Sequence, residues 1–220
     1  MPVCRAHDKW VYFAHVPKCA GTSVEHYLDT RFGTLGMRDT SFAKRSAAEA
    51  WSLSPPQHMP EAVRRELLPD TLFDALFATL RHPATRLRSA FLFQREVEKA
   101  LPSNLPFEQW IDTLPRTQSL DPYALHGHLR PMTDFVPKHA VTFRVENGLA
   151  PVVSWLDDLT GTKGSPRKIG TFNVLQARVK TPVEPIKLTP PVLDTIADLY
   201  AADFERFGYP VDPNDMQDDT

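Results

Sequence analysis

Lys18, Gly21, Thr22 and Ser23 fall together in the stretch HVPKCAGTS. A cation, a glycine and two hydroxyls at this spacing make an anion-binding turn. Gly21 lets the backbone approach a bound oxyanion, amides at a helix start point at it, and the two hydroxyls add donors. Lys18 brings the charge. The turn is not a Walker A loop, GxxxxGK(S/T), because Lys18 precedes Gly21 instead of following a second glycine. An ordinary strand-to-helix turn, with Thr22 or Ser23 as N-cap and a solvated Lys18, is the plainer alternative. A second set of candidates lies in LRHPATRLRS, where Arg81 and Ser89 bracket a helix start. The planar fork of Arg81 can donate two bonds to neighbouring phosphate oxygens. The alternative there is a strand-capping ion pair for Arg81, with Arg86 and Arg88 solvating a helix.

The elements that must position these residues follow from hydrophobic patterning. Trp10–His15 is a short aromatic and β-branched run and predicts a buried strand. After the loop, Val24, Tyr27, Leu28 and Phe32 share a helical face, and Gly33 is placed to end the helix. Residues 34–57 predict loop, with a short helix around Ala47–Trp51. A short helix is expected over Pro60–Leu67, with Pro60 at its first position. Ala75–Leu80 predicts a second buried strand, followed by a long helix over about 84–101. Val141–Val145 reads as a third strand. Further helices are marked by Phe107, Trp110, Ile111 and Leu114, by Val152, Val153, Leu156 and Leu159, and by Leu193, Ile196, Tyr200 and Phe207. Strands alternating with helices argue for an α/β fold with a mostly parallel sheet covered on both faces, which binds ligands at the strand carboxyl ends. That arrangement would put Arg81 on the same rim as the Lys18 loop, so that two anion sites serve one ligand with separated phosphate-like groups.

Composition narrows the class. The 220 residues are 42% hydrophobic and 24% charged, enough apolar surface for a folded core. Lys and Arg number 25 against 27 Asp and Glu, and the net charge of −2 excludes the basic balance of a general nucleic-acid coat. The longest run without a charged side chain, Ala50–Pro60, is far short of the roughly 18 apolar residues needed to span a bilayer. With no secretory-type start and two cysteines, Cys4 and Cys19, expected as free thiols, a cytoplasmic setting is expected. Pro is frequent at 21 and Gly scarce at 9, which suggests stiff, specified loops. Residues 1–9 are expected as a tail, 10–209 as one domain, and 210–220 as an acidic tail.

At this point HVPKCAGTS resembles the 5′-phosphosulfate loop, usually written HIPKTAGTS, of sulfotransferases that use 3′-phosphoadenosine 5′-phosphosulfate (PAPS). LRHPATRLRSAF resembles their 3′-phosphate segment. The similarity continues through HGHLRPMTDF, TFRVENGL and LYAADFERFGY, and is strongest to carbohydrate sulfotransferases and their soluble bacterial relatives. It implies a P-loop-like three-layer fold with helices on both faces of a mostly parallel sheet. It also implies PAPS as donor, 3′-phosphoadenosine 5′-phosphate (PAP) as product, and no metal. Lys18, Cys19, Ala20, Gly21, Thr22 and Ser23 would form the 5′-phosphosulfate loop, although Cys19 stands where Thr is usual and its side chain is not expected to bind phosphate. Arg81 and Ser89 would hold the 3′-phosphate. Lys168 and Gly170 fall where a late loop often folds over the nucleotide, the plainer alternative being an ordinary basic surface turn.

Sulfuryl transfer is an in-line displacement in which positioning and charge stabilisation outweigh covalent chemistry. Lys18 would stabilise the leaving phosphate oxygen, and a histidine would take the acceptor proton. Among eight histidines, His58 is favoured as base by its place between the two anion segments and by a similar spacing in the uronosyl 2-O-sulfotransferase branch. A surface histidine near a helix start is its plainer alternative. His128 would contact the acceptor or orient the site, and His15 would pack beneath the loop. Glu146 and Asn147 are expected to close a strand and cap the next helix. The expected function is transfer of a sulfuryl group to a hydroxyl of a carbohydrate or glycosylated small molecule, with no nucleic acid or membrane partner. A P-loop-like phosphotransferase (kinase) and a non-catalytic nucleotide-binding protein are the alternatives.

Overall fold

In the computed structural model, residues 2–46, 48–172 and 184–216 are described. Four strands form one sheet in the order β1 (Val3–Ala6), β2 (Lys9–Ala14), β3 (Ala75–Leu80), β4 (Val141–Arg144). β1 is antiparallel to β2, whereas β2, β3 and β4 run parallel. The last four residues of both β2 and β3 are buried, as expected of central parallel strands covered on two faces. β4 lies at the edge, and its first two residues, Val141 and Thr142, are exposed.

Seven α-helices occur among the described residues: α1 (Gly21–Phe32), α2 (Glu61–Leu67), α3 (Pro83–Leu92), α4 (Phe107–Leu120), α5 (Ala150–Thr160), α6 (Pro190–Leu199) and α7 (Ala201–Phe207). The fold is mixed α/β. The described residues divide into two compact units. One holds the chain up to Leu80 together with Asp134–Phe172, and the other holds Arg81–Thr133 together with the described residues after 183. The first unit contains the whole sheet, α1, α2 and α5, around a core that includes Phe13, Val24, Leu28, Phe77, Val152 and Leu156. The second packs α3, α4 and α6 around Leu87, Phe91, Trp110, Ile111, Ile196 and Tyr200.

Several elements depart from the patterning. Residues 3–6, expected as part of a tail, form β1, because a turn at His7 and Asp8 folds them back onto β2 and buries Cys4 and Ala6. No helix forms over 48–51, Ala47 lies outside the described residues, and single 3₁₀ turns occur at Phe42–Lys44 and Pro56–His58 instead. Pro60 is the N-cap of α2 and not its first helical residue. The long helix expected to run to 101 stays α-helical only to Leu92. It continues as a π-helical turn, Phe93–Val97, and Lys99 is left-handed with φ 56°. The last helical pattern splits into α6 and α7 at Tyr200.

Candidate active site

The loop after β2 is built by backbone geometry before any side chain acts. Lys18 and Ala20 are left-handed, with φ 67° and 61°, a conformation that costs a non-glycine residue of order 1 kcal/mol or more. Left-handed Ala20 followed by helical Gly21 makes a nest, the concavity in which consecutive amides converge. Ala20 ends the loop as N-cap of α1 and accepts from the amides of Ser23 and Val24 at 3.0 and 3.2 Å. The amides of Gly21 and Thr22, in the first turn, have no intrahelical acceptor and lie at the positive end of the helix. Two anchors hold the turn. The Cys19 amide donates to the Val16 carbonyl at 3.3 Å, and the Thr79 hydroxyl on β3 donates to the Cys19 carbonyl at 2.6 Å. That second bond depends on register: Ala14, the last residue of β2, pairs with Ala78, so Thr79 stands level with the loop. The Cys19 side chain is fully buried, while Lys18 is half-buried.

His15 lies under this turn. Its Nδ1 is 2.5 Å from Glu25 Oε1, and both side chains are buried. A Cβ added at Gly21 would fall 1.9 Å from His15 Nε2, so the glycine is required by the imidazole packed on it. Burial pushes the Glu25 carboxyl up, but the charge and hydrogen bond of His15, with help from Arg38, hold it below the usual glutamate value. Arg38 Nε is 3.3 Å from the other carboxylate oxygen. His58, at the end of the Pro56–His58 turn, meets His15 edge to face at 4.6 Å between ring centroids.

Ser23 is buried, and its Oγ accepts from the Phe172 amide at 3.0 Å. The Phe172 ring stacks on His26 at 4.1 Å, and Ile169 joins the core beside α1. The segment carrying Lys168 and Gly170 is thereby tied to the first turns of α1, with both residues exposed. Its approach is braced by Arg167, which pairs with buried Asp157 at 2.6 Å, and by Arg31, which pairs with the same carboxylate at 2.7 Å.

Arg81, Ser89 and His128 belong to the second unit. Arg81 directly follows β3 and is half-buried, and Ser89 is on α3. Burial, and then the like charge of Arg81 ahead of the helix, push the pKa of Arg88 within α3 down. Among the described residues, neither has a carboxylate within ion-pair distance. His82 caps α3, its Nδ1 accepting from the Ala84 amide at 3.2 Å and its Nε2 donating to the Pro210 carbonyl at 2.8 Å. Arg86 does not solvate the helix. It is fully buried and donates to the carbonyls of His128 and Arg130. His128 is buried, and its Nδ1 is 3.0 Å from Gln94 Nε2 in the π-helical turn. Asn147 is not the cap of α5, whose N-cap is Leu149, and Glu146 with Asn147 forms a 3₁₀ turn after β4.

Patterning passed over Glu25, Thr79 and Phe172. For Glu25 a signal existed: it sits next to Val24 and three residues before Leu28 on the inner face of α1, where a carboxylate must find a partner. Thr79 acts through a neighbour distant in sequence and left no local trace. No group of three or more His, Cys, Asp or Glu side chains able to hold a metal occurs among the described residues. No helix of the described residues is long and apolar enough to cross a membrane.

The model of the sulfotransferase family matches residues 2–210, and thus runs through both units. No curated protein and no solved structure matches the chain. A match of that length, on a chain whose first βα turn is an anchored amide nest with a lysine, assigns the family: this chain belongs to the sulfotransferase family.

Proposed function

We propose that the protein transfers a sulfuryl group from PAPS to a hydroxyl of a carbohydrate or glycosylated small molecule and releases PAP. The observation that carries this reading is the Lys18–Ser23 turn, where left-handed Lys18 and Ala20 lead into the two first-turn amides of α1, a backbone suited to one oxyanion. When bound, PAPS supplies an activated sulfuryl group on a phosphate leaving group. Cys19, Ala20, Gly21 and Thr22 present the turn that holds the 5′-phosphosulfate. Ser23, already accepting from Phe172, anchors the segment that brings Lys168 and Gly170 to the nucleotide. Arg81 and Ser89 take the 3′-phosphate, with Arg88 adding positive potential. His58 accepts the hydroxyl proton as the acceptor oxygen replaces the leaving phosphate on sulfur, and Lys18 balances the charge on the departing oxygen. His128, held by Gln94 and by Arg86 through its carbonyl, orients the acceptor.

The same reading takes the fold as P-loop-like, with three layers and helices on both faces of the sheet, and residues 10–209, joined by β1 ahead of them, as one functional domain. The parallel β2–β3–β4 set and the strand, loop, helix order support it. The chemistry needs neither metal nor nucleic acid. Two buried thiols, Cys4 and Cys19, suit the cytoplasm.

Calorimetric titration with PAP and with ATP, followed by transfer of labelled sulfate from PAPS to a panel of carbohydrate hydroxyls, tests the proposal. PAP should bind more tightly than ATP and label should reach an acceptor. Preference for ATP, or no labelled product from any acceptor, would overturn it. Arg81→Ala should weaken PAP on the order of tenfold or more while weakening adenosine 5′-phosphate little; equal losses would remove Arg81 from the 3′-phosphate.

A further inference from the structure

We infer that Glu25 is a positioning residue that acts on His58 through His15. The inference rests on the reading of His58 as the base and extends it to a buried carboxylate that has no place in the chemistry so far. A carboxylate on the inner face of a helix is costly unless paired, and Glu25 is 4% exposed. Both of its oxygens are engaged, one by His15 Nδ1 at 2.5 Å and the other by Arg38 Nε at 3.3 Å, with Asp29 a further 3.8 Å from Arg38 Nη1. The anion therefore accepts from His15 Nδ1, which fixes the proton on that nitrogen and turns Nε2 towards Gly21.

The imidazole is then restrained on several sides. Glu25 holds one edge, Gly21 backs Nε2, and Phe13 stacks on the ring at 5.7 Å. His58 also packs on it, set at 81°. A ring held this firmly is a wall against which His58 keeps one orientation, so that its proton-accepting nitrogen points the same way at each turnover. Pre-set orientation of this kind is worth rate and leaves ground-state donor binding unchanged.

A purely structural ion pair would weaken everything built on α1, whereas a positioning pair acts on one side chain. Kinetics of Glu25→Gln, His58→Ala and the double variant separate the two. Glu25→Gln should lower kcat on the order of tenfold, by more than it weakens PAP, and it should cost kcat nothing further in the His58→Ala background. Nitrogen NMR of the His58 ring needs neither donor nor acceptor. Glu25→Gln should change the shifts of the two ring nitrogens, because the ring packed against His58 loses its anchor. Additive losses in the kinetic cycle, or unchanged His58 nitrogen shifts, would overturn the inference. If Glu25→Gln fails to fold, His15→Gln reads the same coupling by both measurements. A wild-type protein that transfers no sulfuryl group would sink the proposed function, and the NMR comparison would still decide the role of Glu25.

Discussion

Gly21 shows how one residue type can be demanded by a neighbour and not by its own backbone. Its place in α1 is helical, so a larger residue meets no torsional objection, but a methyl group would collide with the His15 imidazole. Gly21→Ala should destabilise the protein by about 1–3 kcal/mol, the usual cost of overpacking. Adding His15→Ala should return part of that loss, a coupling that urea denaturation of the single and double variants would read. A Gly21→Ala protein as stable as wild type would show that the imidazole gives way. The motif made Gly21 legible as a loop residue, but the reason visible in sequence was anion approach. The imidazole beneath it was out of view, because His15 reaches Gly21 only after the chain has turned through two left-handed residues.

At the level of elements, the turn depends on the strand beside it. Parallel pairing of β2 with β3 sets Thr79 against the Cys19 carbonyl, and the residue is wholly buried. Thr79→Val keeps the shape and removes the donor. It should cost about 0.5–1.5 kcal/mol in stability, and PAP affinity should fall because the nest loses its anchor. Thermal unfolding and titration with PAP would check both, and unchanged PAP binding would mean that the turn holds without β3. The β3 span was legible to the residue, since ALFATL is an apolar run broken only by Thr79 and ended by Arg81 and His82. The end of α3 was not. Apolar spacing from Leu87 to Val97 satisfies an α-helix and a π-helical turn alike, and the choice follows burial of Gln94 against His128. β1 escaped for a related reason, because VCRA gains its strand character only from the edge of β2.

For the molecule as a whole, acid stability should centre on Asp157. Its hydrogen bonds from Arg167 and Arg31 lower the carboxyl to about 2, below the ordinary aspartate value. A depressed carboxyl contributes stability above its unfolded pKa, about 3.9, that is lost as pH falls through the folded value. Wild type should therefore be more stable than Asp157→Asn near neutrality, and the gap should close between about pH 4 and pH 2. Urea denaturation across that range would show it, and a gap constant with pH would place the value of the pair elsewhere. Local order in the sequence carried the lysine turn, the three parallel strands and most helix faces, all of which depend on residues a few positions apart. Contacts between residues far apart in the chain settled the rest. Thr79 on Cys19, Phe172 on Ser23 and Arg31 on Asp157 each join segments that no periodicity links, since a hydrogen bond needs only proximity and direction, and those exist only once the chain has packed.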